Sequence, residues 1–314
     1  MFEILGKVEF FLSGICDENV LYFAAEIINR KGKGVGELKK RIGVALWGIP
    51  LLLFLSYMGG YFFLVLILVI NGMALWEFYT MFRNQDIHAP RIIGVSISSL
   101  YLLFSFFYPQ YMLPALIMVA VIFLLVHLSP QKGMPSRNTA FGMSGFLYIT
   151  VLLALLINLV NHFEQWNPTA AMDTTHAGGS FVIVLLASIW ICDTAAYFGG
   201  KKLGKHKLAP NISPNKTREG AFFGLVFGIL SFYGIGKIFL PNLSLQDALV
   251  CGSIVGIFGQ LGDLVESRFK RNAGVKDTST LLPGHGGMLD RFDSFIFVSP
   301  FLWWYFYLKQ FIIQ

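Results

Sequence analysis

SFVIVLLASIWICDTAAYFG, residues 180–199, runs for twenty residues with Asp193 as its one charged side chain. As a helix it rises ~30 Å at ~1.5 Å per residue, the thickness of a bilayer's hydrocarbon core. The stretch therefore reads as a membrane crossing. The same test, a window of roughly 17 to 22 mostly apolar residues, selects eight more: 42–58, 61–82, 92–108, 112–128, 141–160, 221–240, 246–265 and 292–313. Composition agrees, with 55% hydrophobic and only 13% charged residues in 314, against about 25% charged in a soluble domain. An ordinary water-soluble fold is excluded. Lipid offers backbone groups no partners, so the crossings must be helices, and the alternation of barrel strands is absent. The expectation is an all-α, polytopic integral membrane protein with about nine transmembrane helices.

Orientation follows from Lys and Arg in the connections. With the N-terminus cytoplasmic, 22 of the 24 basic residues fall inside: seven before the first window, two in each of the next two inside loops, six in 200–219 and five in 266–291. Lys237 and Lys309 are the exceptions. The segment 161–179 has no Lys or Arg and reads as external. Residues 1–41 form a cytoplasmic segment with an interfacial helix expected over Val20 to Ile28 and a polybasic stretch from Arg30 to Arg41 suited to anionic headgroups. It lacks the basic start and cleavage site of a secretory signal. Residues 42–314 are the membrane domain. Cys16, Cys192 and Cys251 form no paired spacing and read as packing residues.

Two inside loops carry more than topology requires. In GQLGDLVESRFKR, residues 259–271, Asp263, Glu266, Ser267 and Lys270 stand at i, i+3, i+4 and i+7 on one helix face. GHGGMLDRFDS, residues 284–294, sets Asp290 and Asp293 three apart at the start of the last window. Two helices can thus bring three or four carboxylates to one point. Hard oxygen ligands of this kind suit Mg²⁺, which keeps waters and is completed by substrate phosphates. Capping, or pairing with Arg268, Arg271 and Arg291, is the structural alternative. Asp193, ~9 Å inside the end of its window at ~1.5 Å per residue, is a functional-site candidate because ionisable groups are costly in lipid.

GGKKLGKHKLAPNISPNKTREG, residues 199–220, imitates a P-loop, but His206 stands where Ser or Thr should, and a membrane helix precedes it. A P-loop is rejected. A Gly- and Lys-rich segment suited to phosphate remains, with Lys216 and Arg218 just before the next helix N-terminus. His285, flanked by Gly284, Gly286 and Gly287, sits where a backbone can approach a ligand closely.

Residues 267–293, SRFKRNAGVKDTSTLLPGHGGMLDRFD, resemble the signature of the phosphatidate cytidylyltransferase (CDP-diacylglycerol synthase) family, through Ser267, Lys270, Arg271, Lys276, Asp277, Ser279, Leu282, Pro283, His285, Gly286, Gly287, Asp290, Arg291 and Asp293. GDLVES, residues 262–267, and SPNKTREG, residues 213–220, are similar to the same family. The resemblance implies transfer of a cytidylyl group from CTP to phosphatidate at the cytoplasmic side of an inner membrane. It implies that Asp263, Asp290 and Asp293, with Glu266 beside them, hold Mg²⁺, and that Lys216 contacts phosphate. Arg218, Lys270, Arg271 and Lys276 would offset phosphate charge, and Ser267, His285 and Asp193 would line the substrate site. Four carboxylates leave room for a second cation. The partners expected are CTP, phosphatidate and the bilayer, with no nucleic acid and a homodimer left open. A CTP-dependent polyprenol or phytol kinase is the rival enzyme, and an ion-coupled transporter the rival of another class.

Overall fold

The computed structural model describes residues 35–171, 176–279 and 286–312. Among them nine long helices follow one another: α1 (Val35–Met58), α2 (Gly60–Met81), α3 (Arg91–Phe107), α4 (Met112–His127), α5 (Pro135–Trp166), α6 (Ala177–Leu203), α7 (Arg218–Phe239), α8 (Leu245–Asn272) and α9 (Leu289–Ile312). Each apolar window of the sequence falls on one of them. Among the described residues, α2 with the turn that extends it to Gln85, α4 with the turn from Pro109 that leads into it, α5, α6, α7 and α8 are long and apolar enough to cross a bilayer by length and composition. Shorter apolar stretches, Leu46–Met58 within α1 and all of α3, accompany them. The chain is an all-α, multi-pass membrane protein.

The helix ends follow local chemistry. Thr217 caps α7, its Oγ1 accepting from the Gly220 amide at 3.1 Å, and Ser244 caps α8 through the Asp247 amide at 3.0 Å. Two helices change pitch: α5 contains a π-helical stretch at Phe146–Val151 and α8 another at Val255–Gly259. Such turns insert a residue without ending the helix.

α6 is the central element, buried without interruption from Ala177 to Ile189. Its widest contact is with α7. Lipid cannot drive apolar surfaces together as water does, so close backbone approach must hold such helices, and small residues permit it. A Cβ on Gly220 would lie 2.6 Å from the Ala196 carbonyl, and one on Gly256 of α8 would lie 2.7 Å from the Leu225 Cα of α7. The two seams fix α7 between α6 and α8.

The reading differs from the structure in three places. The sequence assigned 200–219 to a loop, whereas α6 continues to Leu203 and the remainder forms an antiparallel hairpin, β1 (Lys207–Ala209) against β2 (Ser213–Thr217). Asp193 consequently lies ~15 Å from the helix end, at ~1.5 Å per residue, deeper than the window implied. The connection expected over 161–179 is shorter, because α5 runs to Trp166, a short helix covers Pro168–Ala171, and α6 begins at Ala177. The interfacial helix expected at Val20 to Ile28 and the site residue His285 lie outside the described residues. The elements discussed below all belong to one compact unit, Ile49–Leu282 with Gly286–Gln314.

Candidate active site

α8 carries Asp263, Glu266, Ser267 and Lys270 in its last three turns, and α9 carries Asp293 in its second. The two helices meet at Gly262. A Cβ there would stand 2.6 Å from the Phe297 Cβ and 3.1 Å from the Asp293 carbonyl, so only glycine lets them close. Ser294 adds a tie, its hydroxyl donating to the Gly259 carbonyl at 2.9 Å. This approach sets Asp293 beside Asp263 and Glu266. One carboxylate oxygen from each of the three lies within 4.8 Å of the others.

Glu266 is 1% exposed and Asp293 8%. Like charges so close and so dry repel strongly unless compensated. Partial compensation comes from two lysines: Lys216 of β2 pairs with Asp263 at 2.5 Å, and Lys270 pairs with Glu266 at 2.5 Å. Ser267 donates its hydroxyl to Asp263 at 3.2 Å. Glu266 Oε1 stays buried with no hydrogen-bond partner. An orphaned carboxylate oxygen within an all-oxygen donor set fits a hard divalent cation. The trio can hold a metal.

These groups line a cavity of about 680 Å³ that also takes in Asp193, Gln260, Asn215, Asp290, Lys201 and Arg291. Asp193 is exposed, and the cavity is what it faces. Gln260 Nε2 donates to the Ala221 carbonyl at 3.0 Å, tying α8 to α7 at the cavity wall.

Asp290 adjoins the trio through Glu266, with which it shares Lys270. Its Oδ2 accepts from the Thr278 amide at 2.9 Å, the Thr278 hydroxyl at 2.8 Å and the Gly287 amide at 2.8 Å, while Oδ1 accepts from Lys270 at 2.7 Å. Gly286, at φ +79°, leaves a Cβ only 2.9 Å from Oδ2, so the turn that delivers these donors needs a glycine. Both oxygens of Asp290 are engaged. In this geometry it is the partner of Lys270 and the anchor of the preceding loop, beside the acidic trio.

Asp193, Lys216, Asp263, Glu266, Lys270, Asp290 and Asp293 therefore share one cavity. Three of the expected cations do not line it. Arg218 is exposed, and its amide donates to the His206 carbonyl at 2.9 Å to close the hairpin. Arg271 donates to the carbonyls of Ile212 at 3.4 Å and Val275 at 3.3 Å. Lys276 is exposed on the loop. Ser267 supports Asp263 from behind and does not line the cavity.

Sequence reasoning passed over Glu77 of α2, which is 2% exposed and bonded to the loop before α9. The rule that singled out Asp193, an ionisable residue within an apolar window, applied equally there.

Residues 39–309 match the cytidylyltransferase family. The chain is 36% identical over 281 residues to the phosphatidate cytidylyltransferase of Bacillus subtilis, an alignment covering 88% of this chain and 99% of that protein. It is 49% identical over 131 residues to the phosphatidate cytidylyltransferase of Staphylococcus saprophyticus, covering 41% of this chain and 50% of that one. The Staphylococcus haemolyticus protein of the same name is 50% identical over 131 residues, with the same coverage. With an acidic trio, two paired lysines and a cavity on a membrane scaffold, and a match from residue 39 to residue 309, the chain belongs to the cytidylyltransferase family and is a nucleotidyltransferase.

Proposed function

We propose that this protein makes CDP-diacylglycerol and pyrophosphate from CTP and phosphatidate, at the cytoplasmic face of a bacterial inner membrane. The observation that carries the reading is the trio Asp263, Glu266 and Asp293, gathered within 4.8 Å and flanked by Lys216 and Lys270. A lipid phosphate oxygen attacks the α-phosphorus of CTP. A new P–O–P linkage forms there, the bond from the α-phosphorus to the β-phosphate's bridging oxygen breaks, and pyrophosphate departs with that electron pair. The nucleophile is already anionic, so little proton transfer is needed. The difficulty is to bring anions together and spread the charge of the leaving group.

Asp263, Glu266 and Asp293 would hold Mg²⁺, with a second cation as a further proposal, and the metal would supply charge neutralisation across the phosphates. The protein's own cations divide the remaining work. Lys216, on the β1–β2 hairpin, and Lys270, between Glu266 and Asp290, reach the cavity and can exchange their carboxylate partners for phosphate oxygens. Asp193 adds a further carboxylate to the cavity wall. Helices α6, α7 and α8 let a diacyl substrate remain in the bilayer while its headgroup meets the nucleotide.

The test is pyrophosphate release by purified protein in detergent with CTP, phosphatidate and Mg²⁺, the lipid product identified by mass. CDP-diacylglycerol formation abolished by EDTA is expected. CDP appearing with a polyprenol acceptor instead would move the chain to the kinase reading.

A further inference from the structure

Glu77 lies in the next-to-last turn of α2 among apolar neighbours, and its carboxylate collects four neutral donors from the far end of the chain. Oε1 accepts from the Ser279 hydroxyl at 2.7 Å and the Met288 amide at 2.8 Å. Oε2 accepts from the Leu289 amide at 2.8 Å and lies 3.1 Å from the Thr278 hydroxyl, whose one proton it shares with Asp290 Oδ2. A buried carboxylate is costly unless hydrogen-bonded, and here two of its donors are amides at the start of α9. Those amides have no acceptor within their own helix, and the helix dipole there favours negative charge. The backbone is shaped around this contact. A Cβ on Gly287 would lie 2.0 Å from the Thr278 hydroxyl and 2.4 Å from Glu77 Oε2, so no other residue fits.

The contact leads onward to the cavity. Thr278 bonds Asp290 through both its amide and its hydroxyl, Asp290 holds Lys270, and Lys270 holds Glu266. A residue of the second helix is thereby linked, by hydrogen bonds and two ion pairs, to a member of the acidic trio.

We propose that Glu77 is a positioning residue: it fixes the first turn of α9 and, through Thr278, the Asp290–Lys270 pair in the geometry that nucleotide transfer requires. It does not line the cavity and touches no substrate. The proposal rests on the cavity being the transfer site.

Glu77→Gln decides it. Glutamine keeps size and shape, so a residue that merely fills space tolerates it. The amide NH₂ would face two donors, so an acceptor of four hydrogen bonds does not. The readouts are amide hydrogen exchange over residues 286–292, together with turnover of CTP and phosphatidate at saturating substrate. Expected are faster exchange at Met288 and Leu289 and a turnover lowered about 10- to 100-fold, the range for residues supporting a metal site, with cooperative thermal unfolding retained. Wild-type exchange at both amides, or faster exchange with unchanged turnover, overturns the proposal. If Glu77→Gln fails to fold, Thr278→Val removes the single hydroxyl that bridges Glu77 and Asp290. It should lower turnover in the same direction, and wild-type turnover in that variant also overturns the proposal. Should the wild-type protein make no CDP-lipid, the functional reading falls, while the exchange data still report whether Glu77 holds the turn.

Discussion

α8 and α9 run antiparallel, and a buried carboxylate group sits at each end of the pair. At one end Asp247 accepts from Lys309 at 2.6 and 2.7 Å, from the Tyr305 hydroxyl at 2.7 Å and from the Asn167 amide at 3.2 Å. At the other, Asp263, Glu266 and Asp293 share two lysines, and Glu266 Oε1 has no partner. The first is one acid with a full set of donors. The second is an excess of acid held open over a cavity. Both are costly to bury, yet only the first is completed by the protein itself. Burial of charge alone does not distinguish a structural ion pair from a reaction centre, whereas the balance of donors to acceptors does.

The comparison breaks most sharply at Glu266. Glu266→Gln should reduce pyrophosphate release about 10³-fold, at the upper end of what a single preorganised electrostatic group contributes. Thermal unfolding without metal should be unchanged or slightly higher, because a repelling charge has gone. A lower unfolding temperature together with near-normal turnover would reverse the roles assigned to the two ends.

Asp247→Ala is the converse. It strands Lys309 and should cost about 3 kcal/mol of stability, read as a lower unfolding temperature in detergent, while turnover of the folded fraction stays within about twofold. A smaller effect separates the ends in the intact protein. Mg²⁺ at about 100 times its dissociation constant should stabilise wild type by ~2.7 kcal/mol, but should leave Glu266→Gln almost unmoved. Equal stabilisation of both would place the cation elsewhere.

What the sequence disclosed tracks how local each relation is. Asp263 and Glu266 stand three apart on one helix, so their common face follows from the helical period. The nine windows follow from hydropathy alone. The donors of Asp290, Thr278 and Gly287, were not foreseen, because they reach it through a turn whose path no periodicity encodes. Glu77 was missed for a stronger reason, since its partners lie 201 to 212 residues further along the chain. The hairpin β1–β2 escaped because Pro, Asn and Lys occupy its strands without alternation. Arg218 and Arg271 have the charge for phosphate, but the fold sets Arg218 at the surface outside the cavity lining and turns Arg271 toward the carbonyls of Ile212 and Val275.

The π-helical stretch at Val255–Gly259 lies directly ahead of the turns of α8 that carry Asp263 and Glu266. A π turn takes in one extra residue by widening, so the helix on either side keeps the facing it would have without that residue. Deleting one residue within Val255–Gly259 would therefore return the turn to α pitch with Asp247 still toward Lys309 and with Asp263 and Glu266 still toward Asp293. Deleting two would rotate every side chain beyond by ~100° relative to those before, the angle of one residue at 3.6 per turn. A selected library of active variants should hold single-codon deletions in this turn and lack double ones.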